Sequence, residues 1–176
     1  MIITGESLRA LVNQHSLVDA VQAAEDSCIS LTLHSDVIKL RPTNSENTLL
    51  YGESIPDKYI EDLKVPIEGL TLAPKKTLLA CSTEYVKMPR GYMGFVQTKG
   101  TLARFFVFVQ CSDAQIDSGY CGRVTFEIYN ASEFNIILRS GQPVGNMYVA
   151  KLSDTNSPLY DGKYQNSNKP SLPKAL

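Results

Sequence analysis

Glu127 is the residue whose type and surroundings most strongly indicate chemistry. It lies in the run RVTFEIY at 123–129, where most of its neighbours are apolar. An ionised carboxylate in such surroundings is costly unless it is paired or used, because burial removes it from water. Two interpretations are open: the acid transfers protons, or it forms a structural ion pair with Arg104 or Arg123.

Cations beside small residues precede this acid in the segment KGTLAR, whose ends are Lys99 and Arg104. Cations and backbone N–H donors beside small residues suit a phosphate. Asp117, in the turn IDSGY at 116–120, offers a carboxylate suited to a sugar hydroxyl. Taken together, these residue types predict a nucleotide pocket that contains a catalytic carboxylate.

The same segments resemble those of dCTP deaminases, which belong to the dUTPase-like superfamily. KGTLAR is similar to the family's R-S-S-L-A-R turn, and IDSGYCGRVTFEIYN at 116–130 is similar to I-D-P-G-[WF]-x-G-x-x-x-L-E-x-x-N. RSGQPVGNMYV at 139–149 resembles R-P-G-x-x-I-G-Q-L-x-F, and YDGKYQ at 160–165 resembles Y-x-G-K-Y-Q. Residues 72–94 match L-x-P-G-x-F-x-L-x-x-T-x-E-x-V-x-L-P. The matches follow the family's order over most of the chain.

The resemblance implies a role for several residues. Glu127 matches the catalytic acid, which takes a proton from the water attacking C4 of cytosine, protonates N3 and helps ammonia to leave. Arg104 matches the arginine beside the base and this acid. Asp117 matches the acid that receives the 3′-hydroxyl, and Tyr120 matches the ring beneath the deoxyribose. Without the motif, Arg104 would be a surface charge, and the other two would be a plain turn with a buried aromatic ring.

The triphosphate is expected to contact Lys99 and Thr101, and also Tyr160 and Lys163 of a mobile lid that Gln165 assists. The catalytic residues implied are Glu127 and Arg104. The substrate-binding residues implied are Lys99, Gly100, Thr101, Leu102, Ala103, Arg104, Asp113, Asp117, Tyr120, Thr125, Phe126, Tyr160, Lys163 and Gln165.

Four positions depart from the family pattern, and one of them is near Ser167, where a later glutamine of the family is replaced. Gly100 stands where the family usually has a serine that holds the attacking water, and Ser30 stands where the family has an aspartate. Asp113 stands where the family usually has a small residue near that water. Either this carboxylate replaces the missing hydroxyl, or it caps the turn at 112–115, which is a frequent use of Asp.

Composition bounds the class of protein. The chain has 176 residues, of which 43% are hydrophobic and 20% charged, as expected for a single globular domain. Its net charge of −1 predicts no binding to nucleic acid or membranes. No apolar run approaches the roughly 20 residues of a membrane span, and the first residues do not resemble a signal peptide. Four cysteines without a C-x-x-C pattern predict reduced thiols and a cytoplasmic location.

The ligand set of zinc deaminases is absent, because H-x-E and P-C-x-x-C motifs do not occur and the only histidines are His15 and His34. We therefore expect no metal or cofactor bound directly by the protein. Mg²⁺ is expected only as the companion of the nucleotide's phosphates.

Near the N-terminus, Leu8, Leu11 and Val12 recur at helical spacing and predict a short helix over 6–14. Thr4 is its predicted cap. The rest of the chain carries short strand patterns separated by Gly and Pro, which predict an all-β, dUTPase-like distorted barrel or jelly roll. Strands are expected near 28–33, 70–72, 77–81, 84–88, 92–97, 104–110, 123–129, 134–138 and 146–151.

Two segments are expected to lie outside this barrel. Residues 41–64 are polar and rich in turn residues, which predicts an excursion or a flexible arm. Residues 1–157 are expected to form the barrel domain, and 158–176 a lid over the active site. The resemblance also implies a homotrimer with active sites between subunits.

The implied function is hydrolytic deamination of dCTP to dUTP and ammonia, in the supply of pyrimidine deoxynucleotides. The nearest alternative is a dUTP diphosphatase, or a bifunctional enzyme that makes dUMP by both steps, in which Asp113 or Asp117 would orient water at the α-phosphate. A second alternative is a nucleotide-binding regulatory protein that has lost turnover.

Overall fold

The computed structural model describes residues 1–43, 48–111 and 113–175. A short strand, β1 (Ile2–Ile3), leads into the helix α1 (Gly5–His15), which buries Leu8, Leu11 and Val12. The predicted helix is therefore confirmed. Thr4 occupies the predicted N-cap position with an extended backbone, although its side chain makes no capping hydrogen bond.

Strands are the main regular structure of the remaining chain, which confirms the all-β expectation. Among the described residues, nine strands form one curled sheet, and two short strands, Leu70–Leu72 and Ile136–Leu138, form a separate pair. No helix in the described ranges is long and apolar enough to cross a membrane. The elements after α1 are β2 (Ile29–Leu40), β3 (Ile60–Lys64), β4 (Leu70–Leu72), β5 (Thr77–Lys87), β6 (Tyr92–Thr98), α2 (Gly100–Ala103), β7 (Val107–Phe108), β8 (Gln115–Ile116), β9 (Cys121–Asn130), β10 (Ile136–Leu138) and β11 (Pro143–Lys151).

Strand β2 is long enough to serve two parts of the sheet. Its first half pairs antiparallel with β11, and its second half pairs with β5 on one side and β3 on the other. A register shift between Leu33 and Val37 separates the halves. Because such irregularities bend a strand and increase its twist, this shift helps the sheet to curl around its apolar interior.

The core is built from the inward faces of these strands. In β9 the buried residues alternate with less buried ones, so that Val124, Phe126 and Ile128 enter the core. Successive side chains of a strand point to opposite faces. Thr125 and Glu127 therefore lie on the outer face of β9, even though their strand is otherwise packed into the core.

Two of the strand expectations are wrong. The predicted strand at 104–110 is shortened to β7, because α2 and the turn after it occupy the preceding residues, with Phe106 in the left-handed region at φ 57°. The predicted strands at 77–81 and 84–88 are one strand, β5, interrupted by a register shift between Cys81 and Tyr85.

The polar segment 41–64 is partly ordered by pairing. Its last residues form β3, which pairs with β2 from Asp36↔Lys64 to Leu40↔Ile60. The expectation of an excursion thus fails for β3, because this segment is a strand of the main sheet. Residues 44–47 lie outside the described ranges.

Asn130 joins the end of β9 to the small β4–β10 pair. Its Nδ2 donates to the carbonyl oxygens of Leu72 at 2.9 Å and Phe134 at 2.8 Å. Its Oδ1 accepts from the backbone N–H of Ser132 at 3.0 Å and from the hydroxyl at 2.7 Å. The side chain is fully buried, so these four bonds replace water completely.

We expect Asn130→Ala to lower the free energy of unfolding by at least about 2 kcal/mol. The substitution leaves several buried polar groups without a hydrogen-bond partner, at a cost of about 1–3 kcal/mol each. Urea unfolding at fixed protein concentration measures the loss. The exposed Asn135→Ala is the matched control and should stay within about 0.5 kcal/mol of the parent. Equal stability of the two variants would contradict this role for Asn130.

Candidate functional site

A pocket of about 580 Å³ lies over the outer face of β5 and β9. Residues 110–111 and 113–117 form one wall, and the C-terminal segment from Tyr160 to Pro173 contributes another. Six of the residues implied by the sequence line this pocket. They are Asp113, Asp117, Tyr120, Thr125, Glu127 and Tyr160.

Glu127 lies at the back of the pocket, half-buried on β9. Its Oε2 is buried and has no hydrogen-bond partner. Burial raises the pKa of Glu127, and the charge of Asp113 raises it further, while a backbone hydrogen bond from Cys111 opposes both. Among the described residues of this single chain, Glu127 forms no ion pair with Arg104 or Arg123, and the groups that act on its pKa are Cys111 and Asp113. A carboxyl with a raised pKa can both accept and return a proton near neutral pH.

Asp113 has both a turn contact and a place in the pocket wall. One carboxylate oxygen lies 3.5 Å from the backbone N–H of Gln115, a long contact of the turn-capping type. The same side chain lines the pocket and acts on the charge of Glu127. Ser112, the first residue of the predicted turn, lies outside the described residues. Asp117 accepts a 2.8 Å hydrogen bond from the side-chain amide of Gln115, which orients its carboxylate at the rim.

Two tyrosines of the pocket lining lie against each other. The rings of Tyr120 and Tyr160 are tilted by 55°, with their centroids 5.9 Å apart. Tyr120 donates its hydroxyl to the carbonyl oxygen of Arg123 at 2.8 Å, and burial raises the pKa of the phenol. The Tyr120 ring is therefore neutral and fixed in orientation.

The C-terminal segment is held against β9 by backbone contacts. Gln165 accepts from the N–H of Cys121 at 2.7 Å and donates to the carbonyl oxygen of Gly119 at 2.9 Å. Further along, the N–H of Ser171 donates to the Thr125 hydroxyl at 3.0 Å. This segment lies where a lid was expected, but the side chain of Gln165 is used to anchor it and does not line the pocket.

Lys163, the other tail residue implied by the resemblance, is directed elsewhere. Its ammonium donates to the carbonyl oxygens of Lys174 at 2.9 Å and Ala175 at 3.0 Å. It does not line the pocket. Phe126 is also absent from the lining, because its side chain fills the core on the opposite face of β9.

The turn at 99–104 does not reach the pocket of its own chain, and none of its six residues lines it. Arg104 is exposed and donates to the carbonyl oxygen of Gly100 at 2.9 Å. A Cβ added to Gly100 would lie 3.4 Å from this guanidinium, an ordinary contact, so a serine would fit here. Next to this turn, Phe105, Phe106 and Phe108 expose 56%, 66% and 49% of their surface.

Lys99 is already paired within the chain. Its ammonium contacts the carboxylate of Glu25 at 2.9 Å, and this hydrogen bond is the main reason that the pKa of Glu25 is lowered. Ser30 also bonds to Glu25. Glu25 thus lies beside Ser30, the position at which the family has an aspartate. Seventy-four positions separate Glu25 from Lys99, so no local pattern could have indicated the pair.

The side chains of Gln110 and Cys111 also line the pocket, although no sequence motif indicated them.

Metal binding is a separate matter. In residues 1–43, 48–111 and 113–175, no three His, Cys, Asp or Glu side chains converge closely enough to hold a metal ion. The expectation that the protein binds no metal directly remains a prediction.

Comparison with known proteins places this site in a family. Residues 2–152 match the family model of dCTP deaminase-like proteins. The chain belongs to the dCTP deaminase-like family. This match spans α1, all the described strands and the acid Glu127, so the family expected from the short motifs is confirmed.

Similar proteins come from several bacteria. Proteins named "dCTP deaminase, dUMP-forming" are 27% identical in Sulfurihydrogenibium sp. and 29% identical in Persephonella marina, covering 94% of this chain and 92% of each relative. One from Hydrogenobaculum sp. is 34% identical over 67% of this chain and 69% of its own. A crystal structure of 2′-deoxycytidine 5′-triphosphate deaminase from Agrobacterium tumefaciens superposes with a TM-score of 0.65 at 17% identity, covering 84% of this chain and 47% of that chain. That similarity shows a shared fold.

The raised pKa of Glu127 should change how the stability of the protein depends on pH. Because its folded-state pKa is raised, the folded protein binds more protons than the unfolded chain above the unfolded pKa of about 4.3, and stability falls as pH rises through this window. We expect Glu127→Gln to melt at a higher temperature than the parent at pH 8. The difference should vanish below about pH 4, where both states are protonated.

Differential scanning calorimetry at several pH values tests this. Glu133→Gln is the matched control, because Glu133 is exposed and its only described ion pair, with Lys75, is 3.3 Å long at the surface. A lower melting temperature for Glu127→Gln at pH 8 would show that the carboxylate is stabilised by a partner.

Proposed function

We propose that this protein deaminates dCTP by hydrolysis, releasing dUTP and ammonia, with Glu127 as the proton shuttle. The observation that carries the proposal is the buried, unpartnered Oε2 of Glu127 in a nucleotide-sized pocket of a dCTP deaminase-like chain. A carboxylate with one buried oxygen left unpaired weakens the fold. Its presence is explained if it serves a reaction.

In the proposed reaction, Glu127 takes a proton from a water molecule as the oxygen attacks C4 of cytosine. The proton passes to N3, giving a tetrahedral intermediate. The proton of the new hydroxyl group at C4 is then transferred to the 4-amino group. The C4–N bond breaks, ammonia leaves, and a carbonyl remains at C4. The raised pKa of Glu127 supports both directions of transfer. Asp113 lies beside it and takes the place of the missing serine hydroxyl in holding the water.

The rest of the pocket is proposed to orient the nucleotide. Asp117 receives the 3′-hydroxyl, and the ring of Tyr120 packs beneath the deoxyribose, leaving no room for a 2′-hydroxyl. Tyr160 covers the pocket from the tail and contacts the phosphates. Lys163 reaches them only after leaving its present carbonyl partners, so its role requires the tail to rearrange.

A second subunit is proposed to complete the site, within a homotrimer. Arg104 and Lys99 are part of the implied binding set, but they lie outside the pocket of their own chain. The exposed phenylalanines 105, 106 and 108 beside this turn supply apolar surface that a neighbouring subunit would cover. In such a trimer the turn of one subunit enters the pocket of the next.

The proposed chemistry uses no metal bound by the protein, and Mg²⁺ arrives with the triphosphate as part of the substrate. We place the enzyme in the cytoplasm, because its four cysteines carry free thiols and such thiols are typical of reducing compartments. In the activity assay, the protein is therefore first treated with a chelator, and Mg²⁺ is then restored. Activity that needs added zinc would contradict the metal-free mechanism.

A second candidate is a bifunctional enzyme that also releases pyrophosphate and forms dUMP. Full-length relatives with 27% and 29% identity carry names that include "dUMP-forming". The pocket holds two further acids, Asp113 and Asp117, either of which could orient water at the α-phosphate. Product analysis separates the two candidates.

We expect the chelated and Mg²⁺-restored parent to convert dCTP, and Glu127→Gln to be slower by on the order of a hundredfold or more, since the amide cannot take the proton. Chromatography of the nucleotides and an ammonia assay identify the products. Glu133→Gln, on the exposed surface, should retain parental activity. Formation of dUTP supports simple deamination, and dUMP with pyrophosphate supports the bifunctional enzyme.

Near-parental deamination by Glu127→Gln would remove Glu127 from the mechanism. A parent that hydrolyses dUTP and leaves dCTP unchanged would be a diphosphatase. Tight nucleotide binding with no product at all would support the regulatory alternative.

The shared site predicts complementation between inactive variants. Glu127→Gln and Arg104→Ala should each be inactive as pure assemblies. When the two chains are co-refolded, about a quarter of the sites in a randomly mixed cyclic trimer combine an intact Glu127 with an intact Arg104. Activity should return to a comparable fraction of the parent's. If the mixture stays inactive while light scattering shows mixed trimers, Glu127 and Arg104 do not act across a subunit boundary.

A further inference from the structure

The pocket contains a second buried oxygen without a partner. In the described residues that line it, only Gln110 Oε1 and Glu127 Oε2 are buried side-chain oxygens that lack a hydrogen bond. An unpaired buried polar atom loses its hydration without compensation. Two such atoms in one pocket indicate a ligand that brings hydrogen-bond donors to both.

The pocket lining brings these two residues into one cavity of about 580 Å³. In the β7–β9 ladder, Val107 pairs with Asn130 and Phe108 pairs with Tyr129. This pairing ends at Phe108, and the chain bends at Val109 before it reaches Gln110 in the pocket wall.

Contacts beyond the ladder confirm that the chain continues beside β9. The thiol of Cys111 donates to the carbonyl oxygen of Glu127 at 2.9 Å, and a backbone hydrogen bond links Cys111 to the Glu127 carboxylate. Burial alternates in the same sense, because Val107 and Val109 enter the core while Phe108 does not. Gln110 therefore belongs to the outer face that carries Glu127.

The two oxygens differ in chemistry. Glu127 exchanges protons, whereas the Gln110 amide oxygen can only accept a hydrogen bond. Cytosine carries a donor at position 4, its amino group, and uracil carries an acceptor there. An amide oxygen aimed at position 4 would therefore bind the amino group and meet the uracil carbonyl as another acceptor.

We propose that the amide oxygen of Gln110 accepts a hydrogen bond from the 4-amino group of the cytosine ring and so selects cytosine over uracil nucleotides. The inference rests on the proposed function, since it assumes that the base lies against Glu127. It assigns base discrimination to a residue outside every motif in the sequence. After deamination, the new carbonyl oxygen faces the Gln110 oxygen, which weakens product binding.

The test removes one group from the protein and one from the ligand. In a Glu127→Gln background, which slows turnover by on the order of a hundredfold or more, calorimetry measures the binding of dCTP, dUTP and the 2-pyrimidinone deoxyribonucleoside triphosphate, all with Mg²⁺. The pyrimidinone carries only hydrogen at position 4. With Gln110 present, dCTP should bind roughly fivefold more tightly than the pyrimidinone, as expected for one hydrogen bond.

Adding Gln110→Met should remove this preference by weakening dCTP alone, with pyrimidinone affinity unchanged. Retained pyrimidinone binding also shows that the variant is folded. Gln115→Met is the matched control: Gln115 lines the same pocket, but its amide is already engaged by Asp117 at 2.8 Å. It should leave the dCTP-to-pyrimidinone ratio unchanged.

Two failures are distinguishable. If the parent deaminates dCTP but Gln110→Met keeps the full preference, or weakens dUTP as much as dCTP, the assignment of Gln110 is overturned and the proposed function stands. If the parent neither binds nor converts dCTP, the proposed function is overturned and the inference with it.

Discussion

The antiparallel ladder between β5 and β9 is the constraint on which the rest of the site depends. It runs from Thr77↔Tyr129 to Lys87↔Cys121 with one shift of register, and it commits one face of β9 to the core. Because strand side chains alternate, burying Phe126 necessarily sends Glu127 to the opposite face. A slip by one residue would bury the carboxylate and expose the phenylalanine.

The same ladder accounts for the unusual state of Glu127. Residues 110–111 and 113–117 and the C-terminal tail cover its strand, so the carboxyl loses water without gaining a full set of donors. Its pKa is raised for this reason. The fold thus accepts a local loss of stability at the point where proton transfer is proposed, a compromise common in enzyme sites. The tail contributes by anchoring Gln165 to the backbone at Gly119 and Cys121.

One chain provides only part of the implied binding set. The acids and tyrosines converge in its pocket, while the cationic turn at 99–104 faces outward beside exposed phenylalanines. Lys99 is meanwhile held by Glu25. This division of groups is what a site shared between subunits would require, and it makes the assembly, and not the single chain, the proposed catalytic unit.

The sequence by itself determined the family, the all-β class, the N-terminal helix and the six pocket residues that its motifs named, because these depend on local residue types and spacing. It misjudged 104–110, where apolar residues imply a strand but the preceding α2 turn leaves only two residues to pair. Only the tertiary structure decided that Phe126 fills the core, that Lys163 bonds elsewhere and that Gln110 lines the same pocket as Glu127. These outcomes depend on pairing between segments distant in the chain, and such pairing leaves no periodic signal in either segment.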